Sequence, residues 1–259
     1  MIRSNHFISA ALLLSLICIC LGAGCLTEEN GEPARETPKR PAYITEDDGA
    51  VSLLGSGGIQ TAIPLSAGVH LMTMETGCID DRDLDSSQVF ITTKNEYIRI
   101  EGRFTSEALP FATENGKASW SYAFMLRQDA DADIRISHEG PWRLTFSVPE
   151  MINAIPPQSF SGVGTAATPF FMIPQGTYSC DITLENGTFI GVHLMDYDGN
   201  LLPGNGSQVL LPLHELRDGD DELFVGDYTT TVPVTIKRGD NYLLNVLTDG
   251  AWSVHLSPA

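Results

Sequence analysis

Apolar and polar residues alternate at a period of two in many short stretches of this chain. Residues 252–256 read Trp-Ser-Val-His-Leu, and residues 142–146 read Trp-Arg-Leu-Thr-Phe. Because successive side chains of a strand point to opposite faces, each stretch predicts a strand with one buried face. The turn residues Asp249-Gly250 precede one of them, as in a β-hairpin. A long stripe of helical period does not occur, so the pattern predicts an all-β fold.

The alternating pattern occurs twice along the chain. Residues 140–142, Gly-Pro-Trp, match residues 250–252, Gly-Ala-Trp, at an offset of 110 positions. At the same offset the alternating residues 122–126 fall on residues 232–236. This period is far longer than that of solenoid repeats, so it indicates two domains of ordinary size.

We assign residues 49–149 to the first domain and residues 158–259 to the second. Residues 155–158, Ile-Pro-Pro-Gln, form the joint between them, which two successive prolines stiffen. Short strands separated by Gly or Asp turns about every ten residues are typical of a β-sandwich. The expected architecture is therefore two tandem β-sandwich domains.

The first 25 residues have the pattern of an export signal. Arg3 is the only charged residue before Cys25, and residues 7–21 are almost wholly apolar. That run is shorter than the roughly 20 residues that span a bilayer, and small residues follow it, as in secretory signals. Residues 22–25, Gly-Ala-Gly-Cys, resemble the lipobox of prokaryotic lipoproteins, although Leu21 stands one place too early. The resemblance implies cleavage before Cys25 and a diacylglyceryl group on its thiol, and two acyl chains give stable attachment.

Two alternatives to this lipid anchor stay open. The first is a signal peptide whose cleavage releases the protein without an anchor, and the second is an N-terminal segment that is not cleaved and itself anchors the protein. Residues 26–48 are polar, contain prolines and lack the apolar residues needed to fold alone. They therefore predict a disordered tether. The expected location is the cell surface, with both domains facing outside.

The cysteines agree with export. Past the candidate lipid site at Cys25, the chain has only Cys78 and Cys180. Outside the cell these two thiols can form a disulfide that links one domain to the other. The alternative is two separate thiols.

The second half resembles a known family of modules. The residues that carry the resemblance are Phe171, Pro174, Gly176, Tyr178, Phe189, Leu194, Asp198, Gly199, Gly239, Tyr242, Val246, Asp249, Gly250 and Trp252. They are similar to the small jelly-roll-like β-sandwich modules of archaeal and bacterial secreted proteins and surface lipoproteins, akin to pre-peptidase C-terminal domains. The resemblance is looser in the first half, where residues 76–117 depart from it. It implies the fold and a mostly accessory, non-catalytic role.

Acidic runs are candidate calcium sites, because Ca²⁺ binds oxygen ligands. The main candidate site consists of Asp80, Asp81, Asp83 and Asp85. The alternative is a solvated acidic loop, and calcium is the only cofactor that the sequence indicates. The acidic residues within 129–133 and 218–222 are further candidate calcium ligands for the same reason.

Two Asn-Gly segments have a second interpretation as modification sites. Asn186 and Asn205 each stand in an Asn-x-Ser/Thr triplet and are candidate glycosylation acceptors. Both are equally consistent with plain Asn-Gly turns.

The aromatic residues and histidines form no recognisable catalytic set. Trp142 and Trp252 stand in alternating strands and are expected in the core, whereas Trp120 is a candidate for an exposed sugar-stacking platform. His193 and His255 are expected at the surface. The chain contains neither an HExxH zinc motif nor a G-x-S-x-G nucleophile elbow. We therefore expect a protein that is not an enzyme.

Charge narrows the classes of partner. The formal net charge is −18, which repels phosphate backbones and anionic head groups, so no nucleic-acid partner is expected. The expected function is that of a lipid-anchored interaction or structural module, whose partners besides the membrane are an unknown extracellular protein or glycan. The alternative is an accessory ligand- or glycan-binding protein with calcium as a brace.

Overall fold

The chain folds almost entirely into β-strands. The computed structural model describes residues 42–45 (backbone only), 49–77, 87–202 and 210–259. The first half contains β1 (Ala42–Thr45), β2 (Val51–Ser56), β3 (Ile59–Leu65), β4 (Gly68–Gly77), β5 (Ser87–Thr92), β6 (Tyr97–Gly102), α1 (Leu109–Ala112), β7 (Thr113–Glu114), β8 (Lys117–Leu126), β9 (Ala130–Ser137) and β10 (Pro141–Ser147). The second half contains β11 (Gln158–Val163), β12 (Ala166–Ala167), β13 (Phe171–Ile173), β14 (Gly176–Gly187), β15 (Phe189–Asp196), β16 (Leu211–Glu215), β17 (Gly226–Ile236), β18 (Asp240–Thr248) and β19 (Ala251–Pro258).

These strands form two β-sandwiches, which confirms the predicted fold class. The first sandwich pairs the sheet β1-β2-β10-β4-β8-β7 with the sheet β3-β9-β5-β6. The second pairs the sheet β11-β19-β14-β17 with the sheet β12-β18-β15-β16, in which β13 also pairs with β18. Among the described residues, no helix is long and apolar enough to cross a membrane.

The two sandwiches repeat the same strand order. The central path β2-β10-β4-β8 of the first corresponds to β11-β19-β14-β17 of the second. In the other sheets, β9-β5-β6 correspond to β18-β15-β16. The similarity between the two halves of the sequence is therefore a similarity of topology.

Residues 42–45 form a strand where the sequence predicted the end of a disordered tether. β1 pairs antiparallel with β2, with Ala42 opposite Leu54 and Thr45 opposite Val51. The edge of β2 offers main-chain N–H and C=O groups, which an extended segment can pair with whatever its side chains are. The remainder of the predicted tether and the signal lie outside the described residues.

Each sandwich has its own apolar core between its two sheets. The largest fully buried side chains of the first core include Leu53, Ile63, Met72, Met74, Ile91, Trp120, Leu126, Ile134, Ile136 and Phe146. The second core contains Phe171, Ile173, Tyr178, Cys180, Ile182, Leu184, Ile190, Val192, Leu194, Val246, Trp252 and Val254. In both, the buried residues are the apolar members of the alternating stretches, as the period of two predicts.

A tryptophan packed on a glycine recurs in both sandwiches. Trp252 on β19 lies over Gly162 of β11 and donates its Nε1–H to the carbonyl of Gly164 at 2.9 Å. In the first sandwich, Trp142 on β10 packs on Gly55 of β2. Its Nε1–H donates to the carbonyl of Gly57 at 2.9 Å. Both indoles are buried, which confirms the predicted core positions. The glycines are required because a Cβ at either packing position would collide with the ring.

The free edge of β8 joins the first sandwich to the second. The Ser121 N–H donates to the carbonyl of Thr165 at 3.0 Å. Next along the edge, the side chain of Asn245 on β18 accepts from the Ala123 N–H and donates to the Ala123 carbonyl, both at 2.8 Å. Asn245 is 1 % exposed. The second sandwich thereby satisfies the hydrogen-bonding groups that an edge strand leaves open.

Apolar contacts and a loop strengthen this interface. Its buried cluster consists of Ala123, Phe170, Met195 and Leu243. The loop after β6 also reaches the second sandwich, where Thr105 donates from its N–H to Asp249 O at 2.9 Å and from its hydroxyl to Asn186 O at 2.6 Å. The two sandwiches are therefore packed into one compact unit, and the segment at residues 155–158 is one of several connections between them.

Candidate ligand-binding face

The outer face of the sheet β3-β9-β5-β6 carries aromatic and polar side chains. On these strands the inward positions hold core residues such as Ile91 and Ile134, and the alternate positions point outward. We call the outward set the aromatic–arginine face; it consists of Gln60, Phe90, Tyr97, Arg99, Glu101, Asp131, Asp133 and Arg135. Period-two alternation thus builds this surface from the strands that supply half of the first core.

The strand register places four of these side chains in one row. Gln60 is opposite Arg135, Arg135 is opposite Phe90, and Phe90 is opposite Arg99. Neighbouring strands are about 4.8 Å apart, so the row runs roughly 14 Å across the sheet. In the adjacent row, Tyr97 lies at the edge of the sheet and is 65 % exposed.

Phe90 holds two guanidinium groups in place. The guanidinium carbon of Arg135 lies 5.5 Å from the centre of the Phe90 ring, and that of Arg99 lies 5.7 Å from it. Both distances are within the range of cation–π attraction. The Tyr97 ring is tilted against Phe90 with 6.4 Å between ring centres. The row therefore offers planar groups whose positions are restricted before any ligand arrives.

Hydrogen bonds and ion pairs fix the polar members of the face. The Gln60 side-chain amide donates to Asp133 at 2.7 Å. Arg99 lies 3.6 Å from the carboxylate of Glu101, which also pairs with Arg103 at 3.3 Å. These exposed pairs add little to stability, but they orient donors and acceptors toward the same surface.

The corresponding face of the second sandwich is covered. There the outward positions of β18 and β15 hold Leu243, Asn245, His193 and Met195, and the first sandwich packs against this side. One sheet face therefore serves as the internal interface in the second sandwich and remains exposed in the first. The fold and this face define a two-sandwich protein with a single exposed aromatic–arginine surface among the described strands.

His193 was predicted at the surface, and this prediction is wrong. It lies opposite Asn245 on the covered face, and its Nδ1 atom is buried with no hydrogen-bond partner among the described residues. Burial lowers the pKa of the imidazole from its usual value of 6.5. The apolar residues that alternate on the opposite side of β15 gave no sign that this outward side was covered as well.

His255 takes part in a polar row on the outer face of the second sandwich. Its Nδ1 atom lies 2.7 Å from the hydroxyl of Ser159, and His255 is opposite Asp181 in the strand register. The Asp181 carboxylate accepts a hydrogen bond from Thr231 at 2.7 Å. In a Ser-His-Asp triad the carboxylate instead binds the second ring nitrogen of the histidine. The row is a hydrogen-bonded strip across a sheet.

Several predicted site residues lie outside the described part of the chain. These are Cys25, Cys78, Asp80, Asp81, Asp83, Asp85 and Asn205. Lipidation of Cys25 and a calcium site at residues 80–85 stay predictions. Within the described ranges, no group of three or more His, Cys, Asp or Glu side chains is placed to hold a metal ion.

Cys180 lies fully buried in the core of the second sandwich and forms no disulfide with any described residue. Burial, together with the neighbouring Asp181 carboxylate, raises its pKa to about 12. Because Cys78 is outside the described residues, the bond between the two cysteines stays a prediction. The inward position on β14 follows from alternation with Tyr178 and Ile182.

Asn186 is exposed at the corner where the chain passes from β14 to β15. Its φ is 54°, a left-handed conformation that asparagine tolerates better than most residues. The following Thr188 donates its N–H to Asp249 at 2.7 Å. The turn interpretation therefore accounts for Asn186, and its glycosylation stays a prediction. Residues 196–200 also form a turn, in which the Asn200 N–H donates to the Asp196 carboxylate at 2.7 Å.

Trp120 was predicted as an exposed platform, and this prediction is wrong. Its ring is 2 % exposed, and its Nε1–H donates to Ser87 at 2.6 Å. The indole packs on Gly102 of β6, where no Cβ could fit. The exposed aromatic residue at the edge of the aromatic–arginine face is instead Tyr97, which the sequence analysis missed. The alternation of Tyr97 and Arg99 with Ile98 and Ile100 was the available signal.

No family model matches this chain, and no curated protein matches it in sequence. Solved structures that resemble it include the CBM22-1–CBM22-2 tandem domain of Xyn10C from Paenibacillus barcinonensis, with 7 % identity, 85 % of this chain and 91 % of that chain covered, and a TM-score of 0.26. The ANX2 ectodomain from Arabidopsis thaliana has 7 % identity, 80 % and 83 % coverage and a TM-score of 0.25. The plant receptor-like kinase FER has 8 % identity, 81 % and 83 % coverage and a TM-score of 0.24. Similarity at this level indicates no function for this chain.

Proposed function

We propose that this chain is an exported, lipid-anchored binding protein without catalytic activity, and that the aromatic–arginine face holds its extracellular ligand. The observation that carries the proposal is the contrast between the two sandwiches. The face that the second sandwich buries with Leu243 and Met195 is exposed in the first and carries Phe90, Tyr97 and Arg135.

Physical chemistry supports a binding role for this face. Aromatic residues and arginine are the side chains most enriched among the residues that dominate binding energy. The stacking of Arg99 and Arg135 on Phe90 reduces the side-chain entropy that a ligand would otherwise have to remove. The core of the first sandwich, which includes Val89, Ile91 and Ile134, holds the strands beneath the face, as a preorganised site requires.

The location follows from the N-terminal segment. A signal that ends in Gly-Ala-Gly-Cys25 supports export and attachment through a lipid on Cys25. The partner is then a molecule outside the cell, either a glycan or a protein. A net charge of −18 favours solubility and disfavours binding to polyanions.

The test is a binding screen of the purified full chain against arrays of glycans and extracellular proteins. We expect Tyr97→Ala and Arg135→Ala each to reduce binding about tenfold, as for other binding hot spots. Phe111→Ala is the matched control because Phe111 is also an exposed aromatic residue, at 76 %, but lies on α1. Equal binding by the wild type and both face variants would contradict the proposal.

A further inference from the structure

Resting on the function proposed above, we infer that the ligand of the aromatic–arginine face is a neutral polysaccharide that lies across the strands. Three features of the face carry the inference: its balance of charge, the direction of its row of side chains, and the chemistry of its aromatic and polar groups.

The charges on the face exclude a preference for anionic ligands. Its two guanidinium groups, Arg99 and Arg135, are matched by three carboxylates, Glu101, Asp131 and Asp133. Arg99 and Glu101 are also in contact with each other at 3.6 Å. The face has no surplus of positive charge for a carboxylated, sulfated or phosphorylated chain, and the overall charge of −18 repels such chains at longer range.

The row of side chains gives the ligand a direction. Gln60, Arg135, Phe90 and Arg99 stand at neighbouring positions on four adjacent strands. The row therefore runs perpendicular to the strands for roughly 14 Å. A linear polymer laid along it would meet a planar group at every strand, whereas a compact ligand would use only part of the row.

The aromatic–arginine face also has the chemistry that sugar rings require. A pyranose ring presents C–H groups on its faces, which pack on aromatic rings, and hydroxyls at its rim, which both donate and accept hydrogen bonds. Tyr97, at 65 % exposure, offers an accessible ring face. Arg135 and Arg99 offer fixed pairs of N–H donors, and the Gln60–Asp133 pair offers acceptors. The hydroxyls of a neutral sugar therefore find both hydrogen-bond donors and hydrogen-bond acceptors on this face.

The experiment is affinity electrophoresis of the full chain in gels that contain one soluble polysaccharide each. The neutral set is a β-glucan, a galactomannan and a xylan, and the acidic set is alginate, polygalacturonate and hyaluronan. We expect retardation by at least one neutral polymer and by none of the acidic ones. Raising NaCl from 50 to 500 mM should change the affinity by less than about twofold, because a neutral ligand leaves little for salt to screen.

Two variants connect the binding to the face. At a polymer concentration that just retards the wild type, Tyr97→Ala should show no retardation because its affinity is about tenfold lower. Phe111→Ala should be retarded like the wild type. Both side chains are exposed, so the melting temperatures of the two variants should match that of the wild type.

The outcomes separate this inference from the proposed function. Binding of acidic polysaccharides that Tyr97→Ala removes would overturn the neutral ligand and leave the binding face in place. Binding of extracellular proteins alone through the same face would do the same. Retardation that survives Tyr97→Ala, or no binding to any polymer or protein, would overturn both.

Discussion

The amide of Asn245 is expected to decide whether the two sandwiches unfold together. It satisfies both main-chain groups of Ala123 at 2.8 Å from a position that is 1 % exposed. Asn245→Ala removes both hydrogen bonds and leaves a buried N–H and a buried C=O without partners. Asn245→Asp keeps an acceptor for the N–H but sets a carboxylate against the Ala123 carbonyl, so it should be at least as harmful.

The size of the effect follows from those two groups. Each buried main-chain group left without a partner costs about 1–3 kcal/mol, so the loss of two partners by Asn245→Ala should lower the free energy of unfolding by about 2–6 kcal/mol. Domains of this kind are stable by only about 5–15 kcal/mol. Because both lost hydrogen bonds cross the interface, the substitution should weaken the coupling between the sandwiches more than it weakens either core.

Urea denaturation followed by circular dichroism and tryptophan fluorescence measures the effect. The wild type should show one transition with both probes, and Asn245→Ala should show two transitions, each with a smaller m-value. The matched control is Asn95→Ala, which removes the same amide from an exposed turn and should change stability by less than about 0.5 kcal/mol. If Asn245→Ala behaved like Asn95→Ala, the interface would not carry the coupling argued here.

Three further predictions concern single buried groups. Gly162→Ala should cost about 1–3 kcal/mol, because its Cβ would lie 2.8 Å from Cζ2 of Trp252; Gly219→Ala, with no atom within 4 Å, is the control, and equal melting temperatures would contradict the packing. Since burial lowers the pKa of His193 below 6.5, its contribution to stability should be complete above pH 6.5 and fall as the pH drops below it; His193→Gln should remove that part of the difference in melting temperature between pH 7.5 and 5. The Cys180 thiol should resist a thiol reagent at pH 8 and react once the chain is denatured, with the labelled position identified by peptide mapping. A denatured, unreduced chain in which both Cys78 and Cys180 stay unlabelled would indicate the disulfide between them.

The alternation of side chains predicted the strands because it records burial directly. The Trp142 and Trp252 hairpins were recognised for that reason, and the repeated strand order accounts for their similarity. Alternation reports only which side of a strand is apolar. It therefore gave no warning that the polar side of β18, with Asn245, is buried against a second sandwich, and it misplaced His193 for the same reason.

Predicting the candidate site would have required the register of the paired strands, which cannot be read from the sequence. Phe90 and Arg135 are 45 positions apart, and the pairing of β5 with β9 brings them together. Both Phe90 and Tyr97 also lie within residues 76–117, where the resemblance to known modules is loosest. Trp120 was misassigned because the glycine that makes room for it, Gly102, is on a strand in the opposite sheet.

The contact through β8 is a heterologous one, since the edge of one sandwich meets the sheet face of the next. Contacts of this type can in principle continue from unit to unit. A third sandwich added to the second in the same way would have to meet the free edge of β17, the strand that corresponds to β8. At the offset of 110 positions, Pro233 stands on β17 where Ala123 stands on β8, and proline has no N–H to donate to the side chain of a residue such as Asn245. The edge of β17 therefore cannot repeat the Asn245 contact, and a proline at this position also protects the edge against pairing with a further strand.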